Sequence, residues 1–95
     1  MPVAVTFKPP SLNAAGYDEL VRRLEEAGAG SPPGRHIHVC YGGGDQLRTY
    51  DIWESAEAFE AFGQTLIPIL LEMGVRPGQH EVFEVHNIID GEPFP

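Results

Sequence analysis

The sequence predicts an α+β fold whose elements follow in the order strand, helix, strand, strand, helix, strand. Two segments carry apolar residues at helical spacing, and four short segments are rich in β-branched or aromatic residues. Glycine and proline cluster at the junctions between these segments, as they do in turns. The length suits one small domain, so we expect residues 1–95 to form a single unit.

The first strand and the first helix are separated by two prolines. The strand is predicted over Val3 to Phe7 and ends at Pro9-Pro10, because proline cannot donate to a sheet ladder. The helix is predicted over Leu12 to Ala27, with Ser11 as its N-cap and Gly28 at the left-handed position after its last turn. Its apolar stripe consists of Tyr17, Leu20, Val21, Leu24 and Ala27.

The next two strands form a predicted hairpin. They cover Arg35 to Tyr41 and Leu47 to Glu54, joined by the loop Gly42–Asp45. The glycines of this loop do not indicate a phosphate site. Phosphate loops lead into a helix and usually carry a lysine, whereas this loop joins two strands and ends in an aspartate.

The second helix and the last strand complete the order. Ser55 is the predicted N-cap of a helix that runs through Met73 and ends at Gly74. The last strand is predicted over Gln79 to Ile88. The core stripe of the second helix consists of Phe59, Phe62, Leu66, Ile69, Leu70 and Met73.

Charge and composition argue against several functional classes. The chain has 14 acidic and 6 basic side chains and a net charge of −8, which disfavours binding to nucleic acid or to anionic membranes. The amino terminus has no long apolar core, and the apolar stretch from Leu66 to Leu71 is too short to span a bilayer. Cys40 is the single cysteine, so there is no internal disulfide. We therefore expect a cytoplasmic protein.

Side-chain alternation along the strands separates polar from apolar residues. Residues two apart on a strand share a face. Each of the last three strands therefore has one apolar side and one side dense in titratable groups. The predicted polar sides are His36, His38 and Cys40, then Thr49, Asp51 and Trp53, then His80, Val82, Glu84 and His86. The predicted apolar row is Ile37, Val39, Tyr41, Tyr50, Ile52, Phe83 and Val85.

Two arrangements agree with this alternation. The polar side could face water, or it could form a pocket under the helices while the apolar side contacts a partner sheet. We favour the second arrangement, because it explains Trp53 on the polar side and because soluble monomers rarely expose such an apolar row. It predicts a homodimer.

Short segments in three parts of the chain resemble a known superfamily. The run Tyr50–Phe59 resembles the strand-to-helix junction of the dimeric α/β-barrel superfamily, which includes antibiotic-biosynthesis-type, quinol and haem-degrading monooxygenases. Gly16–Glu19, Trp53–Ser55 and Val85–Asn87 are similar to segments of small bacterial members. The resemblance implies a ferredoxin-like fold, with a four-stranded antiparallel sheet and two helices on one face. It also implies dimerisation sheet to sheet, with one pocket per monomer.

The resemblance also has implications for the reaction and for the cofactor. In the haem-degrading branch the junction tryptophan lines the pocket, and Trp53 matches it. That branch also uses an asparagine on the first strand and a histidine on the second helix, and neither is present here. The comparison therefore disfavours haem degradation, and we expect no bound cofactor.

The candidate site is drawn from the polar faces and the helices. A pair of His38 and Asp51 across the hairpin would orient an imidazole as a general base, and His86 would supply a second acid–base group. These are the predicted catalytic residues. The predicted substrate contacts are His36, Trp53, Tyr17, Cys40, Phe62 and Leu66.

Three functions agree with this site. The first is a small-molecule enzyme, either a cofactor-independent monooxygenase or an isomerase or cyclase, acting on an apolar or aromatic compound. The second is a dimer that binds a small molecule without catalysis. The third is a metal-binding protein that uses His36 and His38, with a further ligand such as His86, Glu84 or Asp51 to complete the three that catalytic zinc usually has.

Overall fold

Four strands and two helices follow one another along the chain in the predicted order. We describe residues 1–93 of a computed structural model. The elements are β1 (Val3–Lys8), α1 (Ala14–Glu26), β2 (Arg35–Tyr41), β3 (Arg48–Trp53), α2 (Ala56–Glu72) and β4 (Gln79–Glu84). The predicted bounds of β2 and α2 agree with the structure to within one residue.

The strands form one antiparallel sheet in the order β2-β3-β1-β4. The central strand β1 pairs with β3 through Val5 and Asp51 and with β4 through Val5 and Val82. Both helices pack on the face that carries these residues, so the predicted ferredoxin-like βαββαβ fold is confirmed. The alternation predicted for His80, Val82 and Glu84 is also confirmed, since they oppose the buried residues of β1.

The two helices begin at different kinds of cap. The prediction of Ser11 as the first cap is wrong: Asn13 caps α1, and its Oδ1 accepts a hydrogen bond from the Gly16 amide at 2.7 Å. The helix starts late because Leu12 is buried and its carbonyl accepts the Leu47 amide at 2.9 Å. In α2 the predicted cap is confirmed, since Ser55 Oγ accepts from the Ala58 amide at 3.1 Å. Within residues 1–93, neither helix is long and apolar enough to cross a membrane.

The last strand is shorter than predicted. It ends at Glu84 rather than Ile88, because its neighbour β1 starts at Val3, whose partner is Glu84. One more hydrogen bond follows, from the Val85 amide to the Pro2 carbonyl at 3.0 Å. His86 therefore lies beyond the sheet and is exposed.

The core lies between the inner face of the sheet and the helices. Trp53 and Val5 are fully buried, and the indole of Trp53 packs against the rings of Phe59 and Phe62 at centroid distances of 5.8 and 5.3 Å. The remaining core residues are Val3, Phe7, Leu20, Leu24, Leu66 and Leu70. This packing fixes the β3–α2 junction at the centre of the domain.

The opposite face of the sheet is uncovered and apolar. We call its large exposed apolar side chains the open-face patch: Ile37, Val39, Tyr41, Tyr50 and Phe83. Arg48 and Glu81 are also exposed on this face. Two predicted members do not belong to the open-face patch. Ile52 is buried between its cross-strand partners Ile37 and Ala4, and Val85 is half-buried beyond the end of β4.

Candidate functional site

A cavity lies between the inner face of the sheet and both helices. Its volume is about 170 Å³. A buried apolar cavity of about 150 Å³ holds one benzene molecule, so this space suits a compound with a single ring. The apolar lining consists of Phe7, Pro9, Leu12, Leu20, Val21, Leu24, Phe62, Leu66, Leu70 and Pro77, with Gly30. The polar lining consists of Tyr17, Arg35, His38, Thr49 and Asp51.

A β-bulge near the start of β2 decides which side chains reach this cavity. Arg35 opposes Trp53 and Ile37 opposes Ile52, so β2 has one extra residue between two consecutive positions of β3. The predicted alternation is therefore wrong at His36, which is exposed and does not line the cavity. Arg35 lines it instead, on the same side as His38.

Four side chains form a continuous series of hydrogen bonds beside the cavity. The Tyr17 hydroxyl lies 2.6 Å from His38 Nε2, and His38 Nδ1 lies 2.5 Å from Asp51 Oδ1. The Trp53 indole donates to Asp51 Oδ2 at 3.3 Å. The predicted contact between His38 and Asp51 is present because the two residues are direct partners across the β2–β3 hairpin.

The direction of each hydrogen bond in this series follows from burial. Asp51 is 4% exposed, and a buried carboxylate is costly unless donors satisfy it. Trp53 Nε1 supplies one donor, and His38 Nδ1–H supplies the other. In the neutral imidazole His38 Nε2 is then an acceptor, and the Tyr17 hydroxyl donates to it. The series can carry a proton from Tyr17 to His38.

Tyr17 is the member of this series that carries a hydroxyl, and it lines the cavity. Burial raises the pKa of Tyr17 above its ordinary value, and the nearby Cys40 and Asp51 raise it further, while the charge of Arg35 opposes them. The phenol therefore stays protonated at neutral pH. Its ring stacks on the imidazole of His38 at a centroid distance of 5.9 Å, which holds the hydroxyl at the cavity wall.

Arg35 brings a positive charge to the same cavity. Its guanidinium lies over the Phe62 ring at 5.7 Å, and Nη2 donates to the Gly30 carbonyl at 3.2 Å. Among residues 1–93 no carboxylate lies within 4.0 Å of it. This residue was absent from the predicted site, because only the bulge turns it inward.

The structure brings together five of the nine predicted site residues. Tyr17, His38, Asp51, Phe62 and Leu66 line the cavity. The other four do not. Trp53 lies behind Asp51 in the core, Cys40 is half-buried beside the cavity, and His36 and His86 are exposed. Burial raises the pKa of the Cys40 thiol, which disfavours a reactive thiolate.

Thr49 was a missed lining residue that the sequence could have identified. It shares the predicted inward face of β3 with Asp51 and opposes Cys40 on β2. Arg35 and the loop residue Leu12 also line the cavity, but no pattern in the sequence predicts that they do.

The positions of the histidines do not support a metal site. Over the described residues no group of three His, Cys, Asp or Glu side chains is close enough to hold a metal ion. His36 lies outside the cavity, and both ring nitrogens of His38 are engaged by Tyr17 and Asp51.

Solved structures share this fold over nearly their whole length. A variant of SnoaB, a cofactor-independent oxygenase from Streptomyces nogalater, is 14% identical with a TM-score of 0.66, covering 95% of this chain and 98% of that one. Rv0793 from Mycobacterium tuberculosis is 15% identical with a TM-score of 0.68, covering 95% and 100%. The chain has the fold of the ferredoxin-like, antibiotic-biosynthesis monooxygenase-like proteins.

A third solved structure has the same fold. A protein from Deinococcus radiodurans, whose name places it among the antibiotic-biosynthesis monooxygenases, is 13% identical with a TM-score of 0.63, covering 98% of this chain and 100% of that one. No protein-family model and no curated protein sequence matches the chain. Similarity at this level of identity establishes the fold, so activity has to be argued from the site.

Proposed function

We propose that this protein is a cofactor-independent enzyme that removes a proton from a small aromatic compound. The observation that supports the proposal is the hydrogen-bonded series Tyr17–His38–Asp51 at the wall of a cavity sized for one ring. A buried carboxylate that orients an imidazole, which in turn accepts from a hydroxyl, is the general pattern of an activated acid–base group.

The substrate contact in this proposal is the Tyr17 oxygen. Both ring nitrogens of His38 are occupied, so the imidazole reaches the substrate only through the phenol. Tyr17 takes a proton from the substrate while its own proton passes to His38 Nε2. The concerted transfer avoids a free phenolate, which burial makes costly. Asp51 then stabilises the imidazolium, and the Trp53 indole holds the second carboxylate oxygen in place.

The resulting substrate carbanion has three outcomes. Return of the proton at another carbon gives isomerisation, or attack within the molecule gives cyclisation. With dioxygen, an activated methylene becomes a carbonyl: one oxygen atom enters the product, the other leaves as water with the two methylene hydrogens, and the substrate supplies all the electrons. The similarity to SnoaB supports the oxygenation outcome, and such a reaction needs no bound cofactor.

We also propose that the protein acts as a homodimer. The open-face patch supports this, since its five side chains are each between 38% and 54% exposed and lie on one sheet face, on β2, β3 and β4, with Ala4 of β1 between Ile52 and Phe83. Soluble monomers rarely expose a continuous apolar surface of this kind. A second copy placed sheet to sheet would cover it.

The test uses one-ring phenols and cyclic 1,3-dicarbonyl compounds in deuterated buffer. Oxygen uptake is followed with an electrode, and deuterium incorporation is followed by NMR. Turnover should fall about 10²–10⁴-fold in His38→Gln and in Tyr17→Phe, the usual range for loss of an acid–base group. His36→Gln is the matched control on the same strand, and its turnover should equal that of the wild type.

Two results would contradict the proposal. One is binding of these compounds without oxygen uptake or deuterium incorporation, which would indicate the non-catalytic ligand-binding function. The other is turnover that is unchanged in Tyr17→Phe and His38→Gln.

A further inference from the structure

We infer that Arg35 makes the cavity selective for one-ring compounds that carry an ionised oxygen, a carboxylate or a phenolate. The inference rests on the proposed function in that it names the substrate class of the same cavity. It is tested by ligand binding alone, so its test does not depend on whether the protein shows turnover.

The first support is the unused hydrogen-bonding capacity of Arg35. A guanidinium has five N–H donors, and one side-chain hydrogen bond engages them here, from Nη2 to the Gly30 carbonyl. No fully buried side-chain nitrogen or oxygen among the described residues lacks a partner. The other nitrogens of Arg35 are therefore within reach of solvent or of a molecule in the cavity.

The second support is the absence of a protein counter-ion. Arg22 and Arg23 on α1 form ion pairs with Glu19 at 2.7 Å, whereas Arg35 is half-buried with no carboxylate within 4.0 Å in residues 1–93. Among those residues it is also the only Lys or Arg side chain that lines the cavity. A partly desolvated cation in such a position is stabilised by an anionic ligand, and a planar guanidinium suits two parallel hydrogen bonds to a carboxylate.

The third support is the position of this charge relative to the acid–base residues. Arg35 and Tyr17 line the same cavity, and the charge of Arg35 acts to lower the pKa of Tyr17, although burial raises it by more. The guanidinium also lies over the Phe62 ring of α2, which lines the same cavity. An anionic oxygen bound by Arg35 would therefore bring the attached ring next to Tyr17.

The experiment compares ligands of the same size and different charge. Benzoate and benzamide differ mainly in their charge, and both are close to the cavity in size. 4-Nitrophenol, titrated above and below its own pKa, separates phenolate recognition from carboxylate recognition. Dissociation constants are measured by calorimetry and by NMR titration of the unmodified protein.

The expected result is a preference for benzoate over benzamide of about 10- to 100-fold, the range typical of charge-assisted hydrogen bonds. Arg35→Gln should lose this preference, and Arg35→Lys should keep part of it because the charge remains without the planar fork. Arg76→Gln is the charge-matched control, since Arg76 is exposed and does not line the cavity. It should bind both ligands as the wild type does.

Three results would overturn the inference: equal binding of benzoate and benzamide by the wild type, a preference that persists in Arg35→Gln with native circular dichroism, and no binding of any probe at millimolar concentration. His38→Gln separates this inference from the proposed function. It should lose turnover while keeping the preference for benzoate.

Discussion

Replacement of Asp51 by asparagine should reverse the position of the proton on the His38 imidazole while the fold is kept. The carboxylate now accepts from His38 Nδ1 at 2.5 Å and from the Trp53 indole at 3.3 Å. Asparagine has nearly the same shape, but one of its two terminal groups is an NH₂ donor. Because an indole N–H can only donate, the amide oxygen has to face Trp53 and the NH₂ group has to face His38.

This amide orientation has a direct consequence for proton transfer. His38 Nδ1 must accept from the amide, so the ring proton moves to Nε2 and is donated to the Tyr17 hydroxyl. The imidazole can then no longer take the phenol proton. The equivalent Asp-to-Asn change in a serine-protease triad lowers kcat about 10⁴-fold through the wrong tautomer. We expect a loss of about 10³–10⁴-fold here.

The accompanying change in stability should be modest. A hydrogen bond to a charged group contributes about 1.5–3 kcal/mol and a neutral one about 0.5–1.5 kcal/mol. Two such bonds become neutral and each loses about 1–1.5 kcal/mol, so the free energy of unfolding should fall by about 2–3 kcal/mol. The neutral amide also removes the cost of burying a charge, which makes this an upper limit. Asp51→Ala should cost more, because the fully buried Trp53 indole is left without an acceptor.

The tautomer is measured by long-range ¹H–¹⁵N correlation of the imidazole ring, and the unfolding free energy by urea titration. Asp45→Asn in the exposed hairpin loop is the matched control and should change neither quantity. The reasoning fails if the wild-type ring carries its proton on Nε2 at neutral pH. It also fails if Asp51→Asn keeps the wild-type tautomer and full turnover.

Two further predictions concern the open face and the outer surface of α1. Val39→Glu should convert the proposed dimer to a monomer in sedimentation velocity, whereas Gln64→Glu on the exposed side of α2 should not; a monomeric wild type would rule out the dimer. Hydrogen bonds from Arg22 and Arg23 lower the pKa of Glu19 to about 2 from 4.5. The folded-state pKa is the lower one, so this stabilisation should be present above pH 4.5 and lost as the pH falls towards 2. An NMR titration of the Glu19 carboxyl checks this prediction, and a midpoint near 4.5 would refute it. Added salt should weaken the effect because the carboxyl is partly exposed to solvent.

Local patterns in the sequence predicted the parts of the fold that depend on local forces. Element order follows from apolar periodicity and from glycine and proline, and the Ser55 cap follows from a short-range hydrogen bond. The contact between His38 and Asp51 could also be predicted, because a hairpin places its strands side by side. The inward face of β3 follows from simple alternation, which the structure preserves from Thr49 to Trp53.

The features that could not be predicted depend on partners distant in the chain. The start of α1 is set by a hydrogen bond between Leu12 and Leu47, across 35 positions, and the end of β4 is set by where β1 begins. The bulge in β2 requires the register against β3, which is anchored by the Glu54 amide donating to the Gly34 carbonyl at 2.7 Å. Propensity and alternation contain no information on such contacts, so Arg35 could not be placed in the site.

Because of the bulge, the chemistry of the cavity wall depends on the one extra residue in β2 rather than on a substitution at a fixed position. Arg35 and His36 share the space opposite Trp53, and a regular ladder would have room for only one of them. Loss of Arg35 from the gene would leave the histidine to face inward, and loss of His36 would leave the arginine there. Homologues that lack one of these two codons would then present different side chains to the cavity and bind different ligands. A sequence alignment that places the resulting gap one column too far along would match residues on opposite faces of the sheet.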